Sequence, residues 1–290
     1  MTELPVAGSV THQHLVAVLN TLLALRPAGG EPVRFLDVGV GDGRFLCYLL
    51  DVLPHLRPDL TFECYGLDVD GWRMFEKQGR PRLKERQPGV DWEQQLVLIK
   101  PDAHWPFAES FFDFITTNQV LEHVRDHGFF MEQLRRCLQP GGVSVHLFPV
   151  TEATWEGHAR MPIVHWLRDP WRRRAMHLFA ALGFDNTYRA DQTRRKWNSK
   201  AEFARQYSVV LEKNTNYINV GGLKRAARAA GLRIAFTFTK DYYIAKLLSY
   251  FRVRPSRYRD WGGAEPLLML ILRHVASITV LLTRDSPGND

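Results

Sequence analysis

Apolar positions recur at helical spacing over residues 10–26 (VTHQHLVAVLNTLLALR), and Pro27 with Gly29-Gly30 ends the run. A short apolar stretch at 33–38 follows, then a glycine turn, then the helical pattern RFLCYLLDVL. Strand, glycine turn and helix in that order open a βαβ unit. Further strands are expected at 60–67, 95–99 and 112–118. A helix at 129–138, closed by Pro140-Gly141-Gly142, leads to a fifth strand at 143–148. This alternation over the first 150 residues predicts an α/β fold built on a doubly wound, mostly parallel sheet. Residues 151–222 break the rhythm with a stretch rich in Trp, Arg and His, helical at 171–182 and 201–211. It returns with a helix at 223–230, a strand at 232–239 and a last strand at 278–282, for seven strands in all. The expected organisation is an α/β core at 1–150, a basic substrate lid or insertion at 151–222, and the rest of the sheet domain at 223–290. An aromatic and basic segment, 242–265, lies between the last two strands.

Composition narrows the class. At 45% hydrophobic and 24% charged residues, the chain can bury a core and is not disordered. Cys47, Cys64 and Cys137 form no CxxC pair and cannot make a disulfide framework; they read as reduced core residues. The N-terminal stretch lacks the apolar core of a secretory signal. The most apolar run, 267–272, is stopped by Arg273-His274, far short of the ~18–20 residues that span a bilayer. A cytoplasmic protein is expected. Formal charge is +7, but residues 151–262 hold 22 Lys and Arg against 9 Asp and Glu. That basic stretch is either a solvated surface or a field for something anionic: a phosphorylated metabolite, a lipid headgroup or a nucleic acid.

The chemistry centres on Leu36-Asp37-Val38-Gly39-Val40-Gly41-Asp42-Gly43-Arg44. Glycines at a strand-to-helix turn let a ligand lie on the backbone, and the helix N-terminus behind them offers free N–H groups. Arg44 stands where a dinucleotide fingerprint needs Gly or Ala, and no Gly-Lys-Ser/Thr of a P-loop is present. Asp37 would repel a pyrophosphate and suits an ammonium group or hydroxyls. The second strand runs into Gly66-Leu67-Asp68, and an acid at such a strand tip can accept both hydroxyls of a ribose. Asp102-Ala103 follows the third strand, and Asn118-Gln119 ends the fourth ahead of Leu121-Glu122-His123-Val124. Asp70 reads as a helix N-cap, the Pro-Gly-Gly at 140–142 as turn chemistry, and Asp113 as a packing residue.

This series, LDxGxGxG, GxD, DAxxPFxxxxFD, LEHV and LxPGG, resembles class I S-adenosylmethionine-dependent methyltransferases over about residues 33–150, with a looser match at 223–239 and 278–284. The resemblance implies a Rossmann-like seven-stranded sheet and S-adenosylmethionine as cofactor. It implies that Asp37, Gly39, Gly41 and Gly43 hold the methionine part, Asp68 the ribose, Asp102 with the Ala103 backbone the adenine, and that Asn118 and Gln119 line the methionine end. Some relatives that bind magnesium carry ExxEH. Gln119 replaces the first Glu here, so no metal is expected, and His123 is expected to cap its helix or touch the pocket.

The acceptor is expected under the segment after the fifth strand, Trp155-Glu156-Gly157-His158-Ala159-Arg160-Met161-Pro162-Ile163-Val164-His165-Trp166. A hydroxyl acceptor needs a base near the methyl group. His158 or His165 would serve, with Glu156 orienting the imidazole, and the tryptophans suit sugar rings or other flat ligands; a structural loop is the alternative. The pattern is similar to bacterial methyltransferases of glycan pathways. The reading is O-methylation of a sugar hydroxyl or another anionic or lipid-linked metabolite. Its rivals are a quinone, phenol or natural-product methyltransferase, an RNA methyltransferase, and a binding subunit that kept the fold without catalysis. Nucleic acid ranks low because no RRM or KH signature is present. The 242–265 segment could be a lid, a partner surface or a peripheral membrane helix.

Overall fold

The computed structural model describes residues 5, 7–69, 75–192, 197–258 and 265–285. Strands β1 (Val33–Val38), β2 (Phe62–Val69), β3 (Leu96–Ile99), β4 (Phe112–Asn118), β5 (Leu138–Pro149), β6 (Leu232–Ala235) and β7 (Ser277–Arg284) form one sheet in the order β3-β2-β1-β4-β5-β7-β6. β1 to β5 pair in parallel, and β7 runs antiparallel to both neighbours. The seven-stranded, mostly parallel, Rossmann-like sheet expected from the sequence is therefore present. Six of the seven β4 residues are buried because helices cover both faces. Helices Val10–Leu23, Arg44–Leu56 and Thr239–Ser249 contribute Leu15, Leu49 and Tyr242 to the core on one face. Helices His127–Cys137 and Val220–Ala229 contribute Leu134 and Leu223 to the other. The strand order reverses between β1 and β4, and the crevice at their carboxyl ends is where such sheets bind ligands.

Several expected boundaries move, for physical reasons. The Pro140-Gly141-Gly142 segment does not terminate the preceding helix in a free turn. It lies within β5, where the pairing with β4 slips between Phe112 and Phe114 and Gly141 adopts φ 78°, as a bulge does. The strand expected at 232–239 stops at Ala235, because Phe238 turns to φ 70° and Thr239 starts a new helix. The segment from 242 onward packs on helix Val10–Leu23: His14, fully buried, pairs Nδ1 with the Tyr258 hydroxyl at 2.9 Å and Nε2 with Thr279 Oγ1 at 2.8 Å. Burial drops the His14 pKa to about 3, so the ring is neutral. Asp113 accepts hydrogen bonds from Arg26 Nη1 and the Arg34 amide, the packing role expected of it. Cys47, Cys64 and Cys137 are buried and free. Asp70 and the start of the helix it was expected to cap, residues 70–74, lie outside the described residues; helical turns follow at Phe75–Gly79 and Arg80–Arg86.

Residues 151–219 form an excursion with a two-residue hairpin (Trp155–Glu156 with Met161–Pro162) and helices Trp171–Ala181, Asn186–Gln192 and Lys200–Asn214. Met161, Met176, Phe203 and Leu211 give it a small core of its own. The chain comes back over the carboxyl edge of the sheet, where the Asn216 amide donates to Glu122 O (2.6 Å) and the Thr151 amide to Ile218 O (3.0 Å). Among the described residues, no helix is long and apolar enough to cross a membrane.

Candidate active site

The β1 turn is shaped by close approach. Gly39 takes φ 81°, and a Cβ there would lie 2.4 Å from Val120 Cγ2, so only glycine lets the two loops meet. Gly43, at φ 76°, caps helix Arg44–Leu56 and abuts the Gly79 backbone, where a Cβ would lie 3.0 Å from Gly79 O. The turn is braced from β2: Asp68 Oδ2 accepts the Gly41 amide at 2.7 Å and Oδ1 its neighbour Val69's at 2.8 Å.

Two contiguous clefts open along this edge. The first, about 300 Å³, is lined by His12, Asp37, Gly39, Gly41, Asn118 and Gln119. The second, about 260 Å³, runs over Ile99, Asp102, Ala103, Val124 and Phe129, and Lys213 and Arg125 also line it. Asp68, Val69, Gly39, Val120 and His123 belong to both. Burial raises the Asp37 pKa to about 8 against the hydrogen bond from Thr116 Oγ1, with the nearby Asp68 charge adding to the rise. Burial also raises Asp68, opposed by the two amides it accepts. Asn118 Oδ1 and His12 Nδ1 are buried with no hydrogen-bond partner. A half-cleft ringed by unsatisfied polar atoms and buried carboxyl groups fits a ligand with an ammonium group and hydroxyls.

The clefts share a wall with a second constellation. Glu156 is 1% exposed. Its Oε1 accepts from the His158 amide (3.2 Å), the Tyr217 hydroxyl (2.7 Å) and His158 Nδ1 (2.7 Å), while Oε2 accepts from the Ala159 amide. His158 Nε2 lies 3.3 Å from His123 Nε2, and His123 Nδ1 lies 2.6 Å from the Asn214 carbonyl. The proton positions follow. A carbonyl only accepts, so His123 Nδ1 carries hydrogen; the Glu156 carboxylate only accepts, so His158 Nδ1 does too. The two Nε2 atoms therefore face each other at 3.3 Å, where a proton taken up by one can be shared with the other. Burial opposes the charged form of His158, but the Glu156 hydrogen bond and charge outweigh it, and the pKa rises. In Glu156, burial is likewise outweighed by His158, and the pKa falls. Burial lowers His123.

Residues 11–235 match the model of a family described as a methyltransferase domain. The chain belongs to that family. S-adenosylmethionine is the methyl donor that goes with this family and fold. A malonyl-[acyl-carrier protein] O-methyltransferase from Methylococcus capsulatus is 30% identical over 125 residues, covering 42% of this chain and 40% of that protein. A demethylmenaquinone methyltransferase from Roseiflexus sp. is 28% identical over 165 residues, covering 56% of this chain and 58% of that protein. This chain thus spans between two fifths and three fifths of these curated relatives. Among solved structures, the citrinin polyketide synthase CMeT domain aligns over 93% of this chain and 51% of that chain, with a TM-score of 0.50 at 13% identity. That similarity concerns the fold.

For this methyltransferase domain, the structure brings Asp37, Gly39, Gly41, Asn118 and Gln119 to one half of the cleft and Asp102 and Ala103 to the other, with Asp68 between. Gly43 stands one step back, under the helix start. The Gln119 amide is directed to Leu147 O and Ser277 Oγ (3.3 and 3.2 Å). Glu156 and His158 come together as a pair, with His123 between them and the cleft. His165 stands apart, its ring against Tyr217 and Trp166, and burial lowers its pKa. No local pattern points to His12 or Tyr217, which reach the site from distant helix and loop positions. Nor did it single out Glu122, fully buried, with neither oxygen bonded to another residue and a pKa raised by burial to about 8. Ligand atoms of Glu122, His123 and His158 lie within 4.8 Å of one another, near enough to share a cation.

Proposed function

We propose that this chain methylates a hydroxyl group of an anionic small molecule, with a sugar hydroxyl or a lipid-linked metabolite as first choice, and that the His158–His123 pair takes the proton. The observation that carries this reading is the chain Glu156–His158–His123–Asn214, which reaches the cleft through His123 and Asn214. Two Nε2 lone pairs converge on one point, and a carboxylate strengthens one of them as a base. Arg125 and Lys213 on the cleft lining support an anionic acceptor.

The residues lining the cleft fit S-adenosylmethionine. Asp37 would face its ammonium group, Asn118 and Gln119 its methionine end, Asp68 its ribose, and Asp102 with the Ala103 backbone its adenine. Bound there, it supplies a methyl group activated by a sulfonium. The protein's own work is to align the acceptor oxygen for in-line displacement and to remove its proton. His158, held by Glu156 through Nδ1, presents Nε2 as that base. His123 relays or shares the proton, and the Asn214 carbonyl fixes its ring. The chemistry so written needs no metal.

A carboxylate acceptor, the group methylated by an enzyme such as the Methylococcus relative, would need no base. The test is a screen for S-adenosylhomocysteine release with sugar phosphates, quinols and acyl-carrier carboxylates. A hydroxyl acceptor is expected, with turnover falling about 10²–10⁴-fold in His158→Ala. Turnover of a carboxylate alone, untouched by that substitution, would overturn the proposal.

A further inference from the structure

We propose that the outer face of helices Thr239–Ser249 and Glu265–Leu272 docks on an anionic lipid bilayer. The two helices pack on each other. Lys240 pairs with Glu265 at 2.6 Å, and the Tyr243 hydroxyl donates to Leu272 O at 3.4 Å. Ile244 and Leu247 follow Lys240 at helical spacing and therefore lie on the same side of their helix as that seam. The surface they share is apolar and uncovered. Leu247 is 62% exposed, Phe251 72%, Leu267 68% and Ile271 64%, with Leu270 and Tyr250 also exposed. Soluble surfaces seldom gather so many large apolar side chains in one place without a partner.

Charge identifies the partner. Between Tyr242 and Tyr258 the sequence carries Lys246, Arg252, Arg254 and Arg257 and no acidic residue. All four cations are exposed, and none has an acidic partner within salt-bridge distance among the described residues. Arg254 also donates to the Ala7 carbonyl at 3.1 Å. Apolar side chains accompanied by Lys and Arg without acidic partners match the interfacial zone of a bilayer with negative headgroups: the apolar groups enter the acyl boundary and the cations meet the phosphates. A protein partner would need acidic groups interleaved with apolar ones, whereas a lipid surface supplies both across any area.

The face has a direct connection to the site. Helix Glu265–Leu272 continues into the turn whose His274 and Val275 carbonyls accept the amides of Thr154 and Trp155 (2.7 and 3.3 Å). That turn ends at Ser277, which receives the Gln119 amide. A bilayer against this face lies beside the loop that leads into Glu156. The inference rests on the surface itself and does not depend on which hydroxyl is methylated.

The experiment is co-sedimentation with vesicles of phosphatidylcholine alone or mixed with phosphatidylglycerol, at low and raised salt. Binding is expected to the mixed vesicles, weakening as salt rises. In Leu247→Ser/Phe251→Ser the affinity should drop at least about tenfold, and Arg252→Glu/Arg257→Glu should remove most of the salt dependence. These positions are exposed, and calorimetric binding of S-adenosylmethionine, unchanged in both variants, verifies that each is folded. Three results overturn the proposal: no binding to anionic vesicles, binding that survives both variants, or a dimer in light scattering that Leu247→Ser/Phe251→Ser abolishes while vesicles never bind. The last would make the face a contact between two copies of this chain.

Discussion

Replacing Glu156 by Gln tests the proton inventory of the site directly, because the carboxylate accepts from four donors within a pocket where it is 1% exposed. A glutamine keeps one acceptor oxygen and turns the other position into a donor. If its oxygen serves His158 and Tyr217, its NH₂ faces the Ala159 N–H, leaving donors unpaired and buried. At about 1–3 kcal/mol for each such group, the expected loss is about 2–4 kcal/mol, or roughly 3–7 °C in melting temperature for a chain this long. The loss should depend on pH in a defined way. The lowered Glu156 pKa contributes stability above the ordinary value of 4.5 and loses it as pH falls through the lowered value. The raised His158 pKa contributes fully below 6.5 and loses it as pH rises through the raised value. The gap between wild type and variant is therefore widest between about 4.5 and 6.5. The sharper readout is histidine NMR. In the wild type the His158 ring should titrate above the ordinary range, and in Glu156→Gln its midpoint should fall. Turnover against a hydroxyl acceptor requires the unprotonated pair, so it rises with pH, and that limb should move to lower pH with a smaller maximum. A His158 midpoint that does not move when Glu156 loses its charge would refute the reasoning.

Four further outcomes are expected. Asp68→Ala should weaken S-adenosylmethionine binding by more than about 1 kcal/mol, roughly fivefold or more, by calorimetry. Because burial raises the Asp37 pKa to about 8, a bound ammonium group should make it ionise; calorimetry in buffers of different ionisation enthalpy should detect proton release below that pH, with affinity falling as pH falls. Gly39→Ala should lower the denaturant midpoint by the equivalent of about 2 kcal/mol or more, from the positive φ and the Val120 contact, and adding Val120→Ala should recover part of it. Chelators should leave turnover unchanged; restoration by a divalent ion after chelation would put a cation, not a proton, between the two imidazoles.

The parts of the site legible in the sequence are those whose chemistry is local. A strand, a glycine turn and a helix are adjacent in the chain, so Asp37, Gly39 and Gly41 could be placed before any fold was known, and the acids at the tips of neighbouring strands inherit their position from parallel pairing. His158 and Glu156, two residues apart, were legible as a pair for the same reason. His123 was legible as a residue touching the pocket, and it lines both clefts, but its approach to His158 and the place of Tyr217 were not, because they depend on the 151–219 excursion returning over the sheet, where Asn216 donates to Glu122 O and Asn214 accepts from His123. Local pattern also misread the Pro-Gly-Gly at 140–142, since whether such residues turn or bulge is decided by the neighbouring strand.

The same return loop also bears on the place of the proposed base. Asn214, at the end of helix Lys200–Asn214, orients His123. Tyr207 and Thr187 donate to His158 O at 3.0 Å each, and Tyr217 orients Glu156. Both Glu156 and His158 are thus held by other parts of the excursion, while the β1 turn and Asp68, on the sheet, line the clefts proposed for the cofactor. On the proposed function, the two parts of the fold would divide the reaction, the sheet fixing the donor's place and the excursion fixing the base. A substitution inside the excursion's own core, such as Phe203→Ala, should therefore loosen the base without disturbing the sheet. It should lower turnover while S-adenosylmethionine affinity stays within about twofold. Equal losses in both would mean that the cleft and the excursion form a single cooperative unit, and the division would fail.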